Sequence, residues 1–231
     1  MAITLPNNWL PRPDQMRLWS YLENGGLRAD EVAHRRWGKD DVSLHWAAVA
    51  SHQRIGTYWH MLPEAAQARK AIWDAINPRT GKRRIDEAFP KELRSSTREQ
   101  DMMIRFKCGS TWQVLGSDNY NSLVGSPPIG VVFSEWALAR QDAWTYIRPI
   151  LRENGGWAVF IWTPRGKNHA TRAFEARETD TEWFTERMPA CEMDGDGNII
   201  RMLTPVFDKE GLIKERLELI SELGSEQEGG A

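Results

Sequence analysis

The sequence predicts an α/β fold with a mainly parallel central sheet flanked by helices. Apolar strand-like runs alternate with helical patterns over most of the chain, and two of those runs, IGVVFSE and GWAVFIWT, read as strands buried on both faces. At 231 residues, with 41% hydrophobic and 27% charged side chains, the chain is long enough to bury its own core without disulfides or a structural metal.

In order, PDQMRLWSYLENGG places proline at a first helical position, Met16, Trp19 and Leu22 at helical spacing, and Gly25-Gly26 as a stop. Residues from Leu27 to about His34 form a short strand that runs through a glycine-containing turn into the helix DVSLHWAAVASHQ, whose Val42, Trp46 and Val49 share one face. RIGTYWHML is β-branched and aromatic and ends at Pro63, and PEAAQARKAIWDAI follows as a helix with proline at its start. MIRFKCG and STWQVLGS pair as antiparallel strands across a Gly-Ser turn. DAWTYIRPIL and NHATRAFEARE are helices, EWFTERM is a short strand, and DKEGLIKERLELISELG is an amphipathic helix. DGDGN reads as a tight hairpin turn ahead of IIRML rather than a metal loop on Asp194 and Asp196, because Asp-Gly pairs favour the turn and the other calcium-loop ligands are missing. Trp46, Trp73, Trp136 and Trp144 fall on apolar helix faces and read as core rather than as base-stacking platforms.

The net charge of −2 excludes a protein that holds nucleic acid by bulk positive charge, but it averages a +4 body, residues 1–190, with a −6 tail, residues 191–231. The last residues, SELGSEQEGGA, have the composition of a linker or frayed terminus. Cys108 and Cys191 have no partners at zinc-finger spacing, His45 and His52 lack a third ligand, and no apolar run is long enough for a membrane span; the chain reads as cytosolic. Contact with nucleic acid therefore falls to local patches. RTGKRR puts Arg79, Lys82, Arg83 and Arg84 in one loop, suited to the phosphate backbone or equally to solvent.

Residues 33–40, AHRRWGKD, reproduce the core spacing of a phosphate-binding loop, with Gly38 allowing close backbone approach and Lys39 supplying the positive charge. Ala33 stands in place of the first glycine, and Asp40 stands where a Ser or Thr usually meets magnesium; taken alone, the segment fits a phosphate loop or an incidental turn. IGVVFSE ends in Ser134-Glu135 where such proteins carry an acidic pair, one carboxylate for the metal and one for the attacking water. The two departures are complementary: the carboxylate has moved to the loop and the hydroxyl to the strand, so that Asp40 and Ser134 keep one anionic and one neutral oxygen for Mg²⁺. Loss of catalysis is the alternative, and the retention of Lys39 and Glu135 weighs against it.

With these residues in view, the chain resembles the ATPase domain of the large terminase subunit of tailed bacteriophages, the motor that packages double-stranded DNA. HRRWGKD resembles that family's arginine-rich phosphate loop, YWHMLPEAAQARKAIW its segment after the second strand, VVFSEWA its second nucleotide motif, IWTPRGKN its coupling motif, and RPDQ the segment whose glutamine contacts adenine. The five occur in family order over residues 11–168. The resemblance implies a phosphate-loop NTPase of the additional-strand, catalytic-glutamate type. It places Gln15 at the base, Arg35, Arg36, Trp37, Gly38, Lys39 and Asp40 around the phosphates and metal, Glu135 on the water, and Thr163 as γ-phosphate sensor. Its implied cofactors are ATP and Mg, and its implied partners are double-stranded DNA, the portal protein, the small terminase subunit and further copies in a ring, in the host cytoplasm.

The sequence departs from that family in two places. The familiar Leu-Arg-Gly turn that holds an arginine finger reads Leu123-Val124-Gly125, leaving Arg140, Arg148 and Arg152 as the nearest substitutes. The family continues into an RNase H-like nuclease domain, whereas 65 residues follow Gly166 here, so nuclease activity is not expected and residues 191–231 read as a lid or linker after an ATPase core of 1–190. Two rivals stay open: a helicase-like DNA-dependent ATPase, and a nucleotide-binding assembly module without turnover.

Overall fold

The computed structural model describes residues 9–118, 120, 127–206 and 208–223. Its centre is an eight-stranded sheet in the order β3-β4-β5-β2-β6-β7-β1-β8. The strands are β1 (Arg28–Ala33), β2 (Thr57–Leu62), β3 (Arg94–Arg98), β4 (Met103–Phe106), β5 (Thr111–Gly116), β6 (Pro128–Ser134), β7 (Trp157–Trp162) and β8 (Phe184–Met188). From β5 to β8 every pairing is parallel, and only β4 runs against the rest, pairing antiparallel with both β3 and β5 near one edge. Strand β7 lies between β1 and β6, so one added strand separates the phosphate-loop strand from the strand ending in Ser134.

Each apolar strand supplies both faces of the sheet by alternation. In β7, Trp157, Val159 and Ile161 join the cluster under α1 (Met16–Glu23) and α2 (Lys39–Gln53), while Ala158, Phe160 and Trp162 join the cluster under α5 (Gln141–Asn154) and α6 (His169–Arg177). Trp46, Trp73, Trp136 and Trp144 are all buried, as their helical spacing predicts. Asn168 starts α6 by accepting the backbone N–H groups of Ala170 and Thr171, and Gly155, at φ 65°, ends α5.

Two charged groups sit inside β1. Asp30 is fully buried and pairs with Arg177, whose guanidinium lies over the rings of both Phe160 and Trp183, at 4.1 and 3.9 Å. Glu31 faces the opposite side, next to its registered neighbour Glu186, which Arg17 pairs at 2.6 Å. Burial, then the nearby Glu186 and Asp30 charges, push the Glu31 carboxyl well above the usual carboxylate range.

The structure departs from the sequence reading in three elements. The predicted helix after Pro63 is α3 (Ala65–Ala68) followed by a π-helical turn, Arg69–Trp73, closed by Asp74 N to Arg69 O at 2.8 Å. Arg69 is drawn there to the carbonyls of Glu99 and Gln100, and Trp73 Nε1 to the Glu99 carboxylate at 2.6 Å. Strand β3 carries no signal in the sequence because RSSTR is a polar, half-exposed edge. The basic loop is partly occupied by ion pairs, since Arg83 meets Glu99 at 3.1 Å and Arg84 meets Asp41 at 3.4 Å.

Beyond the sheet, β9 (Cys191–Met193) and β10 (Ile199–Met202) form an antiparallel ribbon, with Asp194 accepting the N–H groups of Asp196 and Asn198 in the DGDGN turn. A small cluster of Ala190, Cys191, Ile199 and Leu212 joins the ribbon to α7 (Lys209–Leu223), and the α4 helix (Arg84–Ala88) lies against α2. The turn at Leu123-Val124-Gly125 and residues 224–231 of the terminal stretch lie outside the described residues. Among the described residues no helix is long and apolar enough to cross a membrane.

Candidate nucleotide-binding site

The motif residues meet at the C-terminal edge of β1, β7 and β6, where ligands of open α/β sheets bind. The loop after β1 turns sharply, with Arg36 at φ 64° and Gly38 at φ 86°, both left-handed. A Cβ on Gly38 would stand 3.1 Å from Gln15 Nε2, so glycine answers both the backbone angle and the close packing. No side chain caps the start of α2, which leaves its first amide groups for an external acceptor, the arrangement an anion needs.

Lys39 is buried, and its ammonium directs three donors at three acceptors. These are the carbonyls of Ala33 and His34, each at 3.2 Å, and Thr163 Oγ1 at 2.8 Å. Thr163 follows β7 and donates in turn to Ala33 O at 3.1 Å, tying the end of β7 to the end of β1. Burial lowers the Lys39 pKa, against the opposing pull of Asp40, Glu135 and Glu31.

Ser134, at the end of β6, donates to Asp40 Oδ1 at 2.7 Å, so the two residues that depart from the usual motifs are in direct contact. His60 Nε2 donates to the same oxygen at 3.2 Å. Burial pushes the Asp40 carboxyl up, but the hydrogen bonds from His60 and Ser134 and the nearby Lys39 charge outweigh it and hold the group below its ordinary value. An anionic oxygen beside a neutral hydroxyl oxygen fits the hard-donor set of Mg²⁺, which usually takes one or two protein oxygens together with substrate phosphates.

Glu135 follows in a left-handed conformation at φ 52°, ψ 42°, a strained backbone for a residue with a side chain. Burial and the neighbouring Asp40 raise its pKa, and the Lys39, Arg165 and Arg35 charges counter part of that rise.

The remaining predicted residues sort by burial. Arg35 and Arg36 are exposed at the loop. Trp37 is fully buried within the main core cluster, so its side chain is a packing element, and only its backbone belongs to the loop surface. Its carbonyl accepts from Gln15 Nε2 at 3.0 Å and from the Arg12 guanidinium. Gln15 is likewise buried, its Oε1 taking Arg12 N at 3.1 Å, and the structure places it as a brace of the loop. Of the substitute arginines, Arg140 pairs with Asp142 and Arg152 with Glu182, while Arg148 is exposed on α5. His60 is the residue the sequence reading missed, because a lone histidine in an apolar strand run carries no motif.

No family model matches the sequence, and no curated protein matches it either. In structure the chain is similar to the large terminase ATPase domain of a Thermus phage, with a TM-score of 0.62 and 17% identity over 93% of this chain and 89% of that one. It is also similar to the large terminase of a thermophilic bacteriophage in complex with ATP-gamma-S, with a TM-score of 0.62 and 14% identity over 90% of this chain and 49% of that one. The same thermophilic-phage protein in complex with ADP aligns with a TM-score of 0.59 and 14% identity over 76% of this chain and 44% of that one. The chain thus spans about half the length of that second terminase. What is shared at these identities is the fold: the phosphate-loop NTPase fold of large terminase ATPase domains.

Proposed function

We propose that the chain is the ATP-hydrolysing motor domain of a phage large terminase, converting Mg²⁺-dependent ATP hydrolysis into translocation of double-stranded DNA into a prohead. The observation that carries this reading is the convergence of Lys39, Thr163, Asp40, Ser134 and Glu135 from three strand ends at one loop. In this reading residues 1–190 are the ATPase core and 191–231 a lid or linker, and the partners are DNA, the portal protein, the small terminase subunit and further copies in a ring, acting in the host cytoplasm.

The uncapped amides of α2 and the turn around Gly38 cradle the phosphates, and Lys39 moves from the loop carbonyls toward the β- and γ-phosphate oxygens. Asp40 and Ser134 would hold a magnesium ion, which would supply neutralisation of the phosphate charge. Glu135 orients the attacking water and accepts its proton, and its raised pKa brings it nearer to the working pH of a general base. Thr163, bonded to both Lys39 and the Ala33 carbonyl, passes any displacement of the lysine into β7 and the segment that follows it. Gln15 and Trp37 shape the loop from behind, and Arg35, Arg36 and Arg165 supply positive charge around the phosphates. Arg79 and Lys82, exposed in the basic loop, supply sequence-independent phosphate contacts to DNA.

Phosphate release from ATP and Mg²⁺ by wild type and by Glu135→Ala tests the reading. Turnover by wild type that falls at least a hundredfold in the variant supports the motor. Nucleotide binding with silence in both proteins identifies an assembly module instead.

A further inference from the structure

One buried polar side chain reaches the site from a strand that carries no motif. His60, on β2, is fully buried, and its Nε2 donates to Asp40 Oδ1 at 3.2 Å. Its Nδ1 is buried with no hydrogen-bond partner among the described residues, and Trp112 packs edge-on at 6.3 Å. The ring therefore leaves one nitrogen unsatisfied, at a cost in stability, in order to present the other to Asp40. For filling space alone, an apolar side chain of similar volume would be more favourable.

We propose that His60 is a positioning residue for the magnesium-side carboxylate. A metal-binding carboxylate at a strand end is held in place by the sheet. Asp40 instead sits in the first turn of α2, with two side-chain torsions to fix and half of its carboxylate facing the site. Oδ1 is pinned from two adjacent strands, by Ser134 at the end of β6 and by His60 on β2, whose register partner is Val132. Oδ2 carries no hydrogen bond among the described residues, so the pinning leaves that oxygen presented to a cation. Removing an outer hydrogen-bond partner of a metal ligand costs about 10–100-fold in metal affinity. The residue is thus a consequence of the exchange at Asp40 and Ser134: once the carboxylate has left the strand, it needs a second donor to hold it. This inference rests on the reading of Asp40 as a magnesium ligand.

The test is binding of a fluorescent ADP analogue (mant-ADP) to the full chain as a function of Mg²⁺, for wild type, His60→Leu and His60→Gln, with thermal melts to verify folding. In His60→Leu, affinity for the analogue without metal stays within about threefold, while the Mg²⁺ concentration for half-maximal tightening rises about tenfold. His60→Gln, whose amide nitrogen reaches to the Nε2 position, restores half-saturation to within about threefold of wild type. Unchanged Mg²⁺ dependence in His60→Leu overturns the proposal, as does an equal loss of metal-free binding, which marks a merely structural residue. Failure of His60→Gln to restore the Mg²⁺ response also overturns it. Where the leucine variant melts too low to assay, His60→Asn, with an amide too short to reach Asp40, takes its place under the same criteria. If Mg²⁺ leaves nucleotide affinity unchanged in wild type, the metal assignment of Asp40 itself falls and takes this role with it. Wild-type coupling that survives in His60→Leu removes only the role of His60.

Discussion

Thr163→Val removes one hydroxyl at the junction of the loop lysine and the end of β7 while preserving side-chain volume. That hydroxyl accepts from Lys39 Nζ at 2.8 Å and donates to Ala33 O at 3.1 Å. A hydrogen bond to a charged group contributes about 1.5–3 kcal/mol and a neutral one about 1 kcal/mol. The Ala33 carbonyl keeps its bond from Lys39 at 3.2 Å, and the valine methyl fills the vacated position without a cavity, so the loss falls toward the lower end, about 2 kcal/mol. For a domain of this size that corresponds to a melting shift of roughly 4–8 °C. Thermal denaturation followed by circular dichroism measures the shift, and phosphate release measures the coupling. The variant is expected to bind ATP within about threefold of wild type and to turn it over at least tenfold more slowly. A melting temperature within 1 °C of wild type, or unchanged turnover, would refute the reasoning that Thr163 links Lys39 to β7.

Three further predictions follow from charges placed by the fold. Arg177→Met leaves Asp30 buried without its cation and is expected to destabilise the chain by about 3–5 kcal/mol in urea titrations; a loss under 1 kcal/mol contradicts the pairing. Glu31 has a folded-state pKa raised above its ordinary 4.5, so its stabilising contribution is complete below that value and is lost as pH rises through the folded-state pKa. Glu31→Gln, which stays neutral, should therefore gain stability relative to wild type between about pH 5 and pH 8, and a difference independent of pH speaks against the buried carboxyl pair. In the basic loop, Arg79→Ala with Lys82→Ala is expected to flatten the slope of log affinity for duplex DNA against log salt by about two, while Arg83→Ala, already paired with Glu99, leaves it nearly unchanged. Equal effects from all three remove the distinction between free and paired cations.

Much of the site was legible because its chemistry is local in sequence. Gly38-Lys39, Ser134-Glu135 and Thr163 each close a strand-like run, and parallel strands bring such ends to one edge. The complementary departures at Asp40 and Ser134, 94 residues apart, anticipated a contact that the structure places at 2.7 Å. Other features depend on which face a residue takes and on packing across elements. Trp37 sits inside the loop motif but turns its indole into the core, and Gln15 turns its amide to the Trp37 carbonyl. His60 belongs to the site through a register that only the assembled sheet defines. Strand β3 forms because its partner β4 presents free edge groups, a reason that lies outside RSSTR itself.

The central claim, that the carboxylate and the hydroxyl of the proposed magnesium site have exchanged places, is tested most directly by ATP turnover in four proteins: wild type, Asp40→Ser, Ser134→Asp, and the double variant. Asp40→Ser leaves no carboxylate to hold the metal, and Ser134→Asp sets a second carboxylate where a hydroxyl now lies 2.7 Å from Asp40 Oδ1. The account predicts that each single variant loses at least a hundredfold in turnover and that the double variant recovers to within about tenfold of wild type, a large positive coupling. Full activity in Asp40→Ser, or a double variant no better than the worse single, would contradict it.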